Sequence, residues 1–137
     1  MLISCCNEHD DNNGIIISDL NVGDNWQGYD CLNLPDTVCI RDDSSYRKIF
    51  KIDTTKSTCK GLVLPTIDFN KNSILIYQKN EDGRIFFHRN VQVDSVNKLI
   101  TYSISTTRCF CPDKCENADQ NIVVVPKIGI DYKVKFK

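Results

Sequence analysis

Eight cysteines and two histidines in 137 residues are the side chains best placed to carry chemistry in this chain. Cys5 and Cys6 stand near the start, and Cys31, Cys39, Cys59, Cys109, Cys111 and Cys115 are spread through the rest. Thiols at this density point either to bridges formed in an oxidising compartment or to a metal site. Six of them admit fifteen pairings, and spacing alone does not choose. The expectation is one bridge within Cys109 to Cys115 and a second joining Cys59 or Cys39 to a sheet. The competing arrangement is zinc held by Cys109, Cys111 and Cys115 with His88. Cys-x-Cys-x3-Cys is compact enough for one ion, but the paired Cys-x2-Cys knuckles of zinc domains are missing.

Catalytic chemistry has less to stand on. His9 lies in a polar, acidic stretch, so any Cys–His or Ser–His mechanism must use His88. No Gly-x-Ser-x-Gly, phosphate-binding glycine loop or His-Glu-x-x-His motif is present, so no catalytic residue or cofactor is assigned. Asp68 reads as a turn residue through its side-chain bonds to nearby N–H groups. Trp26 and Tyr29, in an irregular loop from Asn21 to Pro35, form the candidate binding surface, although loop aromatics more often cover a core edge. A calcium loop ending its first half at Gly14 fails, because position 12 would be Leu20 where Glu is required.

The elements that must position these groups follow from composition and pattern. A 41% hydrophobic and 26% charged chain of this length supports one domain with its own core. Residues 1–40 hold seven acidic residues and no Lys or Arg, whereas the remainder holds 17 basic and 11 acidic residues. The acidic arm argues against nucleic-acid binding, and the downstream basic residues are too dispersed to form a patch. No run of eighteen apolar residues is available to span a membrane.

The first residues carry a resemblance of their own. Leu2-Ile3-Ser4-Cys5 has an aliphatic residue at −3, a small one at −1 and then Cys, and so resembles the lipobox of bacterial lipoproteins. That implies lipidation of Cys5, and the missing basic and apolar regions of a signal peptide imply an initiator upstream of Met1. Residues 1–14 are then a lipobox remnant and a flexible acidic tether, and residues 15–137 a single β-rich domain.

Along the domain, Ile15-Ile16-Ile17-Ser18 predicts a first strand or a segment pinned to the core, and Thr37 to Arg41 a short strand. Asp43 or Ser44 can cap a helix starting at Ser45, with Tyr46, Ile49 and Phe50 on one stripe. Leu64 to Phe69 leads into Ile74 to Tyr77, apolar on both faces like a covered strand. Turns at Asn80 to Gly83 and Asp94 to Lys98 predict hairpins. Ile85, Phe87, Val91 and Val93 share one parity, and Ile100, Tyr102 and Ile104 another. Ile122 to Val125 is a further apolar run. In the last strand Tyr132, Val134 and Phe136 face in, while Lys133, Lys135 and Lys137 face out and guard the edge. The fold class is α+β: mainly antiparallel sheet with one short helix packed on it, stabilised by disulfides.

From Ile67-Asp68-Phe69 onward the layout resembles Bacteroidota-type envelope lipoproteins of unknown function: a covered strand, a hairpin, the Cys109 to Cys115 loop and Val125-Pro126-Lys127. It is also similar to the C-terminal domain of PrcB-type protease-complex stabilising subunits, although Phe86-Phe87-His88 stands where that type favours Gly-Gly-Tyr. The resemblance covers residues 37–137. It implies an outer-membrane lipoprotein facing the periplasm or cell surface, bound to the membrane by its N-terminal lipid and to an unidentified envelope protein. The expected role is structural or protein-binding and non-catalytic. The alternatives are a stabiliser or inhibitor of an envelope protease, or a metal- or small-ligand-binding module.

Overall fold

The computed structural model describes residues 9–23, 30–79, 85–108 and 120–137. Among the described residues eight strands form two four-stranded sheets. The first contains β1 (Asp11–Gly14), β5 (Ile85–Asp94), β6 (Leu99–Arg108) and β8 (Lys133–Phe136), in the order β1-β5-β6-β8. The second contains β2 (Ser18–Asp19), β3 (Thr37–Ile40), β4 (Asn72–Tyr77) and β7 (Ile122–Pro126), in the order β2-β7-β4-β3. Pairing is antiparallel except for β1 with β5 and β6 with β8, which are parallel. Helix α1 (Asp43–Ile49) and a 3-10 turn (Ser57–Cys59) belong to the connection between β3 and β4.

The second sheet is the middle layer, which explains why β4 is apolar on both sides. Ile74 and Ile76 face Tyr46 and Phe50 of the helical segment, together with Ile40, Ile122 and Val124. Leu75, Val123 and Val125 face the other way and pack against Phe87, Val91, Ile100 and Tyr102 of the first sheet. Continuous β-branched runs are what a strand covered on both faces requires. The first sheet keeps one solvated face, and β5 and β6 accordingly alternate buried and less buried residues.

Helix α1 starts at Asp43, two residues earlier than expected. Asp42 is the cap, its carboxylate accepting from Ser45 N at 2.7 Å. The Tyr46–Ile49–Phe50 stripe faces inward as its spacing predicts, with Tyr46 and Phe50 fully buried. Tyr46 stacks edge-on with Phe50 at 4.8 Å, meets Phe69 at 5.5 Å and donates its hydroxyl to Pro65 O at 2.8 Å. Burial, with a smaller push from Asp43, raises its phenol to about 12. The Leu64 to Phe69 stretch is therefore the strap that docks the helix onto β4. Asp68 closes the strap as expected, accepting from Asn70 N at 3.0 Å.

Several expectations are corrected. Residues 11–14 are not tether but β1, paired in register from Asp11↔His88 to Gly14↔Val91. The Ile15–Ile17 run is the segment pinned to the core, crossing between sheets through Ile15 N to Val91 O and Ile17 N to Val124 O. Gly14 permits this crossing: its φ is +73°, and a Cβ would collide with the Val91 carbonyl oxygen. Of the two expected hairpins, the one at Asp94–Lys98 forms between β5 and β6, whereas β4 and β5 lie in different sheets and do not pair. The turn expected at Asn80 to Gly83 lies outside the described residues.

Cys59 pairs with Cys31, not with a sheet residue, at a Cα–Cα distance of 5.6 Å. Both are fully buried in the layer that covers the second sheet. Cys39 is a correction to the bridge candidates. It is a free thiol on β3, packed against the intersheet core, where burial raises its pKa and keeps it protonated. Cys109, Cys111 and Cys115 lie outside the described residues. Among the described residues no helix is long and apolar enough to cross a membrane.

Four carboxylates are held below their ordinary value of 3.8 by hydrogen bonds: Asp42 from Ser45, Asp53 from Thr55, Asp94 from Asn97 and Asp11 from His88. Depressed carboxyls stabilise the fold above their unfolded pKa and lose that contribution as pH falls through the folded one. The melting temperature is therefore expected to be flat between about pH 5 and 7 and to fall below about pH 4. Replacing Asp94 with Asn should make the acid limb shallower, as followed by circular dichroism.

Candidate functional site

Strand β5 carries polar groups on both of its faces. On the outer face His88 sits between two partners, its Nδ1 2.9 Å from Asp11 Oδ2 and its Nε2 2.7 Å from Thr107 Oγ1. The carboxylate can only accept, so Nδ1 carries a proton; Nε2 accepts from the Thr107 hydroxyl in the neutral ring and donates to it in the imidazolium. The His88 hydrogen bond is also the largest influence lowering the Asp11 pKa. The trio has the connectivity of an acid–histidine–hydroxyl relay. Its hydroxyl, however, is secondary and sits on a β-branched residue inside a paired strand, opposite Phe86. Acyl-transfer nucleophiles stand instead on sharp turns that expose them beside N–H donors for the oxyanion. Here the trio clamps β1, β5 and β6 together. Beside it runs an open groove of about 540 Å³ lined by Asn13, Lys79, His88, Asn90, Ile104 and Lys137.

On the inner face Arg89 is 1% exposed, yet its guanidinium is well served. Nε donates to Asn121 Oδ1 at 2.8 Å and Nη1 to Asn12 Oδ1 at 3.4 Å. Asp10 and Asp19 lie 3.6 and 3.7 Å from its Nη2 and Nη1, and the guanidinium sits 5.7 Å from the centre of the Phe87 ring. These partners are fixed in turn. Asp10 accepts from Phe87 N at 2.7 Å, Asp19 from Asn12 Nδ2 at 2.7 Å, and the Asn121 carbonyl from the Tyr102 hydroxyl at 2.8 Å. A buried guanidinium is tolerated when its donors are occupied and counter-charges stand close. The network anchors the N-terminal arm to the open side of the two sheets.

The sequence-derived sites distribute unevenly over this frame. Cys31 and Cys59 are brought together, Cys39 stands apart, and His88 has both ring nitrogens engaged by Asp11 and Thr107. Cys5, Trp26, Tyr29 and the three cysteines of the zinc alternative lie outside the described residues. Among the described residues no three His, Cys, Asp or Glu side chains cluster as metal ligands do. Arg89, Asp11 and Asn121 were not singled out from the sequence. One signal for Arg89 was available: it shares the parity of Ile85, Phe87 and Val91, the inward-facing set of β5. Comparison with protein-family models, curated proteins and solved structures finds no match to this chain.

Proposed function

We propose that this chain is a lipid-anchored protein of the bacterial cell envelope with a structural or protein-binding, non-catalytic role, held to the outer membrane through Cys5. The observation that supports this reading most is the buried Cys31–Cys59 disulfide, since such bridges persist in oxidising compartments and are rare in a reducing cytosol. It agrees with the lipobox-like Leu2-Ile3-Ser4-Cys5. Strand β1 begins at Asp11, six positions after Cys5, a span of about 20 Å at most, so an anchor there would hold the domain close to the bilayer. The polar constellations on β5 tie strands together, which favours a binding or structural role over catalysis. Stabilising an envelope protease is a narrower form of the same reading.

Cell fractionation with labelled palmitate tests it. The wild-type chain is expected in the membrane fraction and labelled, and Cys5→Ala in the soluble fraction and unlabelled. Retention of Cys5→Ala in the membrane would remove the anchor.

A further inference from the structure

Strand β1 adds almost nothing to the packing of the domain. Among the described residues it is an edge strand of the first sheet, and neither hydrophobic cluster contains a residue from 9 to 14. Asn12, Asn13 and Gly14 are exposed and Asp11 is half-buried. Apolar packing begins only after the arm, at Ile15 and Ile16. A short edge strand with few apolar contacts and an exposed backbone opens locally, at a free energy well below that of global unfolding.

What holds the arm is a residue-by-residue reading by β5. The Asp10 carboxylate accepts from Phe87 N at 2.7 Å and stands 3.6 Å from Arg89 Nη2. Asp11 meets His88 Nδ1 at 2.9 Å on the outer face. Asn12 turns back to Arg89, its Oδ1 accepting from Nη1 at 3.4 Å while its Nδ2 donates to Asp19 at 2.7 Å. Gly14 lets the chain come so close to Val91 that a Cβ would strike the carbonyl oxygen. Four of five consecutive positions are thus selected, as acid, acid, Asn, any residue, Gly. Main-chain pairing for affinity and side-chain contacts for specificity are how a sheet edge takes an extended peptide. The reading residues, Phe87 to Val91, are paired with β6 on their other side and keep that pairing when the arm leaves.

We infer that the β5 edge is a strand-accepting site, occupied at rest by the chain's own arm, and that a partner protein displaces β1 with an extended segment of the same acid-acid-Asn-x-Gly pattern. The segment already seated there defines the occupant. This gives the protein-binding role proposed above its site and rests on that reading. The resident arm competes at high effective concentration, so wild type should take a second segment at least about tenfold more weakly than a form with the edge open.

The probe is the capped peptide His-Asp-Asp-Asn-Asn-Gly, titrated into the isotope-labelled full chain produced without lipid and followed by amide chemical shifts. Two variants open the edge: Gly14→Val by collision with the Val91 carbonyl, and Asp10→Lys with Asp11→Lys by repulsion from Arg89. Both are expected to bind the peptide with shifts centred on Phe87 to Val91, and wild type at least about tenfold more weakly. Replacing both Asp of the peptide with Asn should weaken binding about tenfold or more, the scale of a lost hydrogen bond to a charged group. No binding by either opened variant, or equal binding of the Asn peptide, overturns the inference. Collapse of the spectrum in both variants also overturns it, because the arm is then part of the cooperative fold. A wild-type dimer that becomes monomeric in the double Lys variant overturns it in favour of arm exchange between copies. None of these outcomes touches palmitate labelling, so failure of the strand-accepting site and failure of the anchor are read separately.

Discussion

Serine at Cys59 is expected to lower the free energy of unfolding by about 3.5 kcal/mol, the closure entropy of a loop this long. The bridge spans 28 residues and encloses β3 and α1, so it ties down most of the layer covering Ile74 and Ile76. Both half-cystines are 1% exposed, so the new hydroxyl and the orphaned Cys31 thiol would also be buried without their partner. Urea unfolding is the measurement. Without reductant the midpoint of Cys59→Ser should lie below that of wild type, and adding reductant should lower the wild-type midpoint at least to that level. Cys39→Ser is the internal control, because that thiol is unbridged. Equal midpoints with and without reductant would show that the helical layer is held by packing alone.

The second large effect is expected at Arg89. Methionine keeps most of the stem volume but removes the charge and five donors, leaving Asp10, Asp19 and Asn121 Oδ1 to find other partners. Breaking a buried pair by deleting one member costs roughly 3–5 kcal/mol. Asp10 and Asp19 are 35% and 43% exposed, so water recovers part of that loss and about 3 kcal/mol is expected. Arg89→Ala should cost more, because the stem packing goes too. Asp19→Asn alone should cost below about 1 kcal/mol, its pair being part-exposed and solvent-screened. Combining Arg89→Met with Asp10→Asn and Asp19→Asn should recover part of the loss, since no carboxylate is then left facing an apolar side chain. An Arg89→Met variant as stable as wild type would mean that the arm is held by β1 pairing and His88 alone.

How far the sequence discloses this fold depends on what holds each element. Strand β4 and the alternation of β8 are legible because apolar burial drives them, and apolar burial is what periodicity records. The Tyr46–Ile49–Phe50 stripe is legible for the same reason. Strand β1 is not, because Asp11-Asn12-Asn13-Gly14 contains no apolar residue and is held by His88, Arg89 and backbone pairing to a segment over seventy residues away. Composition therefore reads it as solvated chain. Arg89 sits in an apolar parity, a signal visible in principle, but its counter-charges belong to that same arm. The crossing from β4 to β5 is hidden for another reason: turn residues are compatible with a hairpin and with a change of sheet alike. Cysteine pairing is the clearest limit, since six thiols constrain nothing until the chain brings Cys31 and Cys59 within 5.6 Å.

The most direct test of a lipid-anchored protein from an oxidising compartment is mass spectrometry of the native chain, recovered from the membrane fraction and digested without reduction. The expected result is a cross-linked peptide pair containing Cys31 and Cys59, together with an N-terminal peptide in which Cys5 carries the added mass of its lipid. Free thiols at Cys31 and Cys59 with an unmodified Cys5 would contradict the account.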